Sequence, residues 1–115
     1  MSKQAYPILA LTIAATATLV AERFVTAAGA VPAADANVLG VVRQAAVSGD
    51  KVTVDVLGTA IVEAGGAITK GDTLKVDNTG KVITWATSGA KVGLALQAAS
   101  GAGQFIEVLL IPNVA

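Results

Sequence analysis

Acid–base, nucleophilic or metal chemistry would have to be assembled in this chain from a narrow set of side chains. There is no histidine and no cysteine, which removes the commonest general base, proton shuttle and thiolate ligand together. The carboxylates are Glu22, Asp35, Asp50, Asp55, Glu63, Asp72, Asp77 and Glu107. Most stand beside glycine or lysine in turn-like stretches, or on the polar side of an alternating run, where a solvated turn residue is the ordinary reading. Glu107 departs from this, because Phe105, Ile106, Val108 and Leu109 surround it. A carboxylate there must lie at an edge, pair with a cation or be covered in an interface. A subunit-bridging ion pair of Glu107 with Arg23 or Arg43 is therefore expected. No phosphate loop, calcium loop, zinc spacing or nucleophile elbow is present. Gly101-Ala-Gly103 is too short for a dinucleotide fingerprint and precedes a strand. The sequence predicts a non-enzyme with no catalytic residues, no metal and no cofactor.

Charge and composition narrow the partners. Eight basic and eight acidic residues cancel, so nothing steers the chain toward nucleic acid or an anionic membrane. The basic residues are scattered without interleaved aromatics, which argues against a single-strand platform. Charged residues make up 14% and hydrophobic ones 54% of the chain, an unusually apolar balance for one small domain. Apolar area beyond the core is expected to be covered by other protein chains.

The elements that would position any site are repeated. Val38-Leu-Gly-Val-Val-Arg-Gln-Ala-Ala-Val-Ser-Gly-Asp-Lys-Val-Thr-Val-Asp-Val56 returns in outline as Lys91-Val-Gly-Leu-Ala-Leu-Gln-Ala-Ala-Ser-Gly-Ala-Gly-Gln-Phe-Ile-Glu-Val-Leu-Leu110. Both run through an apolar residue, Gly, an apolar stretch, Gln-Ala-Ala, a small turn and an alternating strand. Val52, Val54 and Val56 alternate with Thr53 and Asp55, the period of a half-buried antiparallel strand. Gly58 breaks that pattern and residues 59–63 resume it. A flexible turn at 64–67 separates the halves, and Asp77-Asn-Thr-Gly80 is a strong turn. Short strands between Gly-rich turns predict an all-β fold, a small barrel or sandwich built from two similar ~50-residue halves. The halves fall at about residues 22–57 and 69–111 of a single β-domain, 22–115. A short helical turn is expected at 97–100, with an echo at 44–47, and Pro112 is expected to stop the last strand.

Residues 1–21 read as an extended N-terminal arm passing into a first strand. Pro7 keeps Tyr6 extended, and the Ile, Thr and Val content of 8–20 favours strand. Lys3 followed by this apolar run has the outline of a secretory signal. Thr12, Thr16 and Thr18 within it argue against one, and it is shorter than the ~20 residues of a membrane span.

Two resemblances bear on function. Ile68-Thr-Lys-Gly-Asp-Thr-Leu-Lys-Val76 is similar to the strand and turn of biotinyl and lipoyl carrier domains, but Lys81 lies between Gly80 and Val82, without the Met-Lys-Met or Asp-Lys-Ala that marks a modified lysine. More extensively, the chain beyond Arg23 resembles the capsid cement, or head decoration, proteins of tailed phages. The resemblance is carried by Val62-Glu-Ala-Gly-Gly-Ala-Ile-Thr-Lys-Gly-Asp-Thr-Leu74, by Gly80-Lys-Val82 and by the run from Val92 to Leu110, through their order and spacing. It implies a small β-rich protein, often trimeric, that is made in the host cytoplasm and docks on the outer surface of the expanded virion shell. There it would bind the major capsid protein and its own copies, with no nucleic acid, membrane or small-molecule partner. A tail or baseplate β-domain is the alternative structural role. The expected capsid-binding arm is Tyr6, Pro7, Ile8, Leu9 and Leu11.

Overall fold

In the computed structural model the described residues are 5–111. Residues 1–4 of the expected arm, and Pro112 with its expected strand-stopping role, lie outside them. The fold is all-β, as the alternation predicts, with no helix among the described residues. Eight strands follow in order: β1 Pro7–Ala14, β2 Phe24–Val25, β3 Gly40–Val42, β4 Lys51–Glu63, β5 Thr73–Val76, β6 Val82–Thr84, β7 Gly93–Ala95 and β8 Phe105–Leu110. Every named strand pairing is antiparallel, in the order β2-β3-β4-β8-β7-β5-β6, with β1 added to β4. The two ends of that order approach each other. The Phe24 amide donates to the Gly80 carbonyl at 2.9 Å, and Ala64 bridges Val82, so the sheet forms a nearly closed barrel.

The long strand β4 organises the rest. Its first half pairs with β1 and β3, and its second half with β8. Gly58 does not end the strand. It sits at φ +102°, a region open to glycine and costly for other residues, and β1 shifts register beside it. A bulge here bends the strand while its even-numbered face stays apolar. Val52 and Val54 enter one buried cluster, and Ala60 and Val62 enter a second. Each of these valines withdrawn from water contributes about 1.5–3 kcal/mol, and the methyl of Ala60 less.

The repeat seen in sequence is a repeat of hydrogen bonds. Phe24↔Val41 and Val25↔Gly40 correspond to Thr73↔Leu94 and Leu74↔Gly93. The bridge Leu19↔Ala46 corresponds to Ile68↔Ala99. The correspondence reaches back into β1, whose pairs Leu11↔Val54 and Ile13↔Val52 match Ala60↔Val108 and Val62↔Ile106. Two equivalent units result, about 9–57 and 58–111. β4 is the last strand of the first and the opening strand of the second. Val25, Val42 and Val54 line the first core, and their counterparts Leu74, Ala95 and Val108 line the second.

The expected helical turns at 44–47 and 97–100 are absent. The amide and carbonyl of Ala46 bond to Leu19, and those of Ala99 bond to Ile68. These groups are therefore committed to bridges rather than to a local helical ladder.

Gly40 and Gly93 show why the repeat keeps its glycine. A Cβ on Gly40 would collide with the Asp55 carbonyl, and one on Gly93 would lie 2.6 Å from Val108 Cγ1 and 2.7 Å from the Leu109 carbonyl oxygen. Neither strand has room for a methyl group. Gly40→Ala and Gly93→Ala are each expected to lower the unfolding free energy by about 1–3 kcal/mol. Gly66→Ala, with nothing within 4 Å of the added carbon, should stay within about 0.5 kcal/mol of the parent. Guanidinium denaturation of the three variants checks this ranking.

Candidate interaction surface

The polar side chains are used to hold turns and to join the two units. Asp77 accepts from the Thr79 amide at 2.8 Å and the Lys81 amide at 3.1 Å. Asp50 accepts from the Val47 amide at 3.1 Å, and Gln104 does the same at 2.8 Å for Ser100, the equivalent position of the second unit. Asp72 accepts from the Thr69 amide at 2.9 Å and the Thr84 hydroxyl at 3.0 Å. These are turn contacts of the kind that Asp and Asn commonly make. Lys81 lies 3.5 Å from Glu63 Oε2, an ion pair within the fold rather than a lysine standing free at a hairpin tip. Among the described residues no group of three or more acidic side chains is placed to hold a metal ion.

A clamp runs between the units. Arg23 Nε donates to Glu63 Oε1 at 2.9 Å, and Lys81 approaches the other oxygen of the same carboxylate. The Glu63 amide donates to the Glu22 carbonyl at 2.9 Å. Lys75 Nζ lies 2.9 Å from Asp35 Oδ1. Arg43 pairs with Asp55 at 2.7 Å, beside an open groove of about 490 Å³ lined by Pro7, Glu22, Val41 and Ile61 among others. Asp55 is itself buried. Arg23 and Arg43 are thus both engaged inside the chain. Glu107 is buried at 6% exposure, and no cation among the described residues pairs with it. Its amide is bonded to Gln97 Oε1 at 2.9 Å. Glu63 and Asp55 could not be singled out from sequence as the partners, since they lie 40 and 12 residues from their arginines and are joined only by strand pairing.

An exposed apolar surface begins at β1. Tyr6 is held to β4 by reciprocal backbone bonds with Thr59, both 3.1 Å, yet its side chain is 62% exposed. Ile8 is 83% exposed, and Leu9 and Leu11 are also exposed. Pro7 opens the strand and pairs with Gly58. Among the described residues β1 pairs with β4 alone, so its other edge carries backbone groups with no strand beside them. A long exposed apolar edge of this kind is a template for pairing with another chain. Leu11 stands apart from Tyr6 and Ile8, because it lies opposite the core residue Val54 and shares the inward face.

A family model described as phage cement protein matches residues 3–110. No curated protein matches the chain. Among solved structures, the N base of the head fiber gp8.5 of bacteriophage phi29 superposes with a TM-score of 0.72 at 21% identity, over 90% of this chain and 93% of that one. At this identity the likeness is one of fold.

The clamp between the units is measurable. An Arg23→Met, Glu63→Gln double-mutant cycle is expected to give a coupling of about 1 kcal/mol, since both groups are largely covered and the bond is charge-assisted. The same cycle on Lys81 and Glu63, at 3.5 Å, should give a smaller value that vanishes in high salt.

Proposed function

The chain belongs to the phage cement protein family, and from that membership we propose that it decorates the outside of the expanded capsid, bridging neighbouring major capsid subunits and stabilising the shell. Membership makes it a structural, capsid-associated virion protein. The finer role is supported chiefly by one observation, the exposed apolar strand β1 at the edge of the barrel. A cement requires attachment area rather than reactive groups, and the side chains of the chain are spent on turns, cores and the clamp between units.

In the proposed attachment, Tyr6, Pro7, Ile8 and Leu9 contact the capsid, and a capsid strand adds to the free edge of β1. Backbone bonds supply attachment, while Tyr6 and Ile8 fill pockets. Because β1 is already ordered against β4, little conformational freedom is lost on binding. A homotrimer presents three such strands. Simultaneous engagement raises avidity by ~10²–10⁴ over a single strand where the geometry permits. The chain is made in the host cytoplasm and ends on the outer surface of the virion.

Two measurements test this role. Ile8→Asp leaves the cores untouched and should weaken binding to expanded shells by tenfold or more, about 1.4 kcal/mol per decade, with an unchanged unfolding transition. Unchanged shell binding would remove β1 from the attachment. With zero formal net charge, binding should change by less than about threefold between low and moderate salt, because no long-range field is present to be screened. A steep loss would point to an ionic interface elsewhere.

A further inference from the structure

The two units are equivalent in hydrogen bonding and unequal in what covers them. In the second unit, the open end of the core is closed by the first: Phe24, Val38 and Val41 join Ala60, Val62, Val92 and Leu110 in one buried cluster. The equivalent positions of the first unit are Leu11, Ile13, Leu39 and Val56. Leu39 and Val92 are matched by their amide bonds, to Val25 at 2.8 Å and to Leu74 at 2.9 Å. Ala60 is 1% exposed, whereas Leu11 is 41% exposed. Ile13, Leu39 and Val56 are only partly buried against their cluster. The first unit therefore has an apolar core end that lacks the cover its counterpart receives.

The complementary surface lies at the other end of the chain. The first unit docks onto the second with the outer side of β2 and β3, which carries Phe24 and Val41. The counterpart of that side in the second unit lies on β5 and β7, where Thr73 and Leu94 stand in the places of Phe24 and Val41, and it continues onto β8. Leu94 replaces Val41 there and pairs across the strands with Leu109; both are exposed, as is Phe105 on the same side. In the first unit the positions of Leu109 and Phe105 are held by Asp55 and Lys51. Leu94, Leu109 and Phe105 thus make part of this outward side more apolar than its counterpart and stand exposed, while Glu107 between Phe105 and Leu109 is itself buried.

We propose that these two surfaces meet between chains. The β7–β8 outer side of one chain, centred on Leu94 and Leu109, covers the core end of the next chain at Leu11, Leu39 and Val56. The occupant is a second copy of this chain, because the contact between its own two units already sets Val41, the counterpart of Leu94, against the matching core end of Ala60, Val92 and Leu110. The interface joins unlike patches, so it propagates head to tail and must close into a ring or run on as a filament. Closure at three supplies the seam of the homotrimer, and to that extent the inference rests on the self-association proposed above. It leaves Tyr6 and Ile8 outside the ring for the shell.

Complementation tests the head-to-tail geometry. The parent chain should have three times the 11.3 kDa of a single chain by sedimentation equilibrium. Leu11→Lys and Leu109→Lys should each weaken self-association tenfold or more. Mixed, they should form a dimer of one chain of each kind, since one intact contact remains. Because the chain has no cysteine, Leu11→Cys and Leu94→Cys variants give a milder second measurement. Under diamide they should cross-link to each other and not to themselves. Parental mass in both lysine variants, a mixture that stays monomeric, or cross-linking of either cysteine variant with itself would overturn the proposal. A parent chain that is monomeric yet binds shells through Ile8 would overturn it while leaving the capsid role intact.

Discussion

Everything in this molecule depends on β4 serving two cores. A thirteen-residue strand would ordinarily run beyond a domain this small. Here the bulge at Gly58 lets the even-numbered face leave one cluster and enter the next without reversing. The price of that economy is mutual dependence, because the two units share one continuous strand and Phe24, Val38 and Val41 of the first close the buried cluster of the second. The clamp of Glu22 and Arg23 on Glu63 then fixes the angle between the units. It uses a backbone bond and a charged pair at the place where two β-surfaces would otherwise slide. Glu22 adopts φ +64°, a conformation uncommon for a non-glycine residue, and its carbonyl is the acceptor of that backbone bond.

The architecture also explains why so little chemistry is visible. Side chains that might have formed a reactive cluster are distributed one per turn. Asp50, Asp72 and Asp77 each satisfy amides that the short connections leave without ladder partners. With strands of three or four residues, a large share of backbone groups lie in such connections, and buried polar groups left unpaired would be costly. The acidic residues therefore work mainly as structural acceptors, and the function falls to surfaces.

Particular residues show what sequence can and cannot reveal about such a fold. The repeat is readable where the backbone itself demands a residue type. Gly40 and Gly93 recur because neighbouring strand atoms leave no space for a Cβ, and Ala46 and Ala99 recur because both sit buried in bridges to a facing segment. The alternation of Val52, Val54 and Val56 gives β4 directly. The kinship of β1 with the second half of β4 is not readable, since 11–14 and 60–63 share only the apolar character of their inward positions. Gly58 misleads for a physical reason: a glycine that accommodates a bulge and one that ends a strand look identical in a sequence. The arm residues Tyr6, Ile8 and Leu9 stand out as apolar residues without a polar face, but whether such residues are buried or exposed is decided by what packs on them. The partners of Arg23 and Arg43 depend on register and were beyond reach.

The attachment of β1 to β4 has a consequence in mechanics. The rungs of an antiparallel ladder lie across the strands, and β1 is paired with β4 from Pro7 to Ala14, with Tyr6 extending the contact to Thr59. Tension applied along β1 from its N-terminal end meets these rungs in shear, with many loaded together. A pull perpendicular to the strand would open them in succession. The same strand can therefore be tenacious toward force in one direction and yielding in another, and the way it is gripped sets how much strain the barrel can transmit before it lets go.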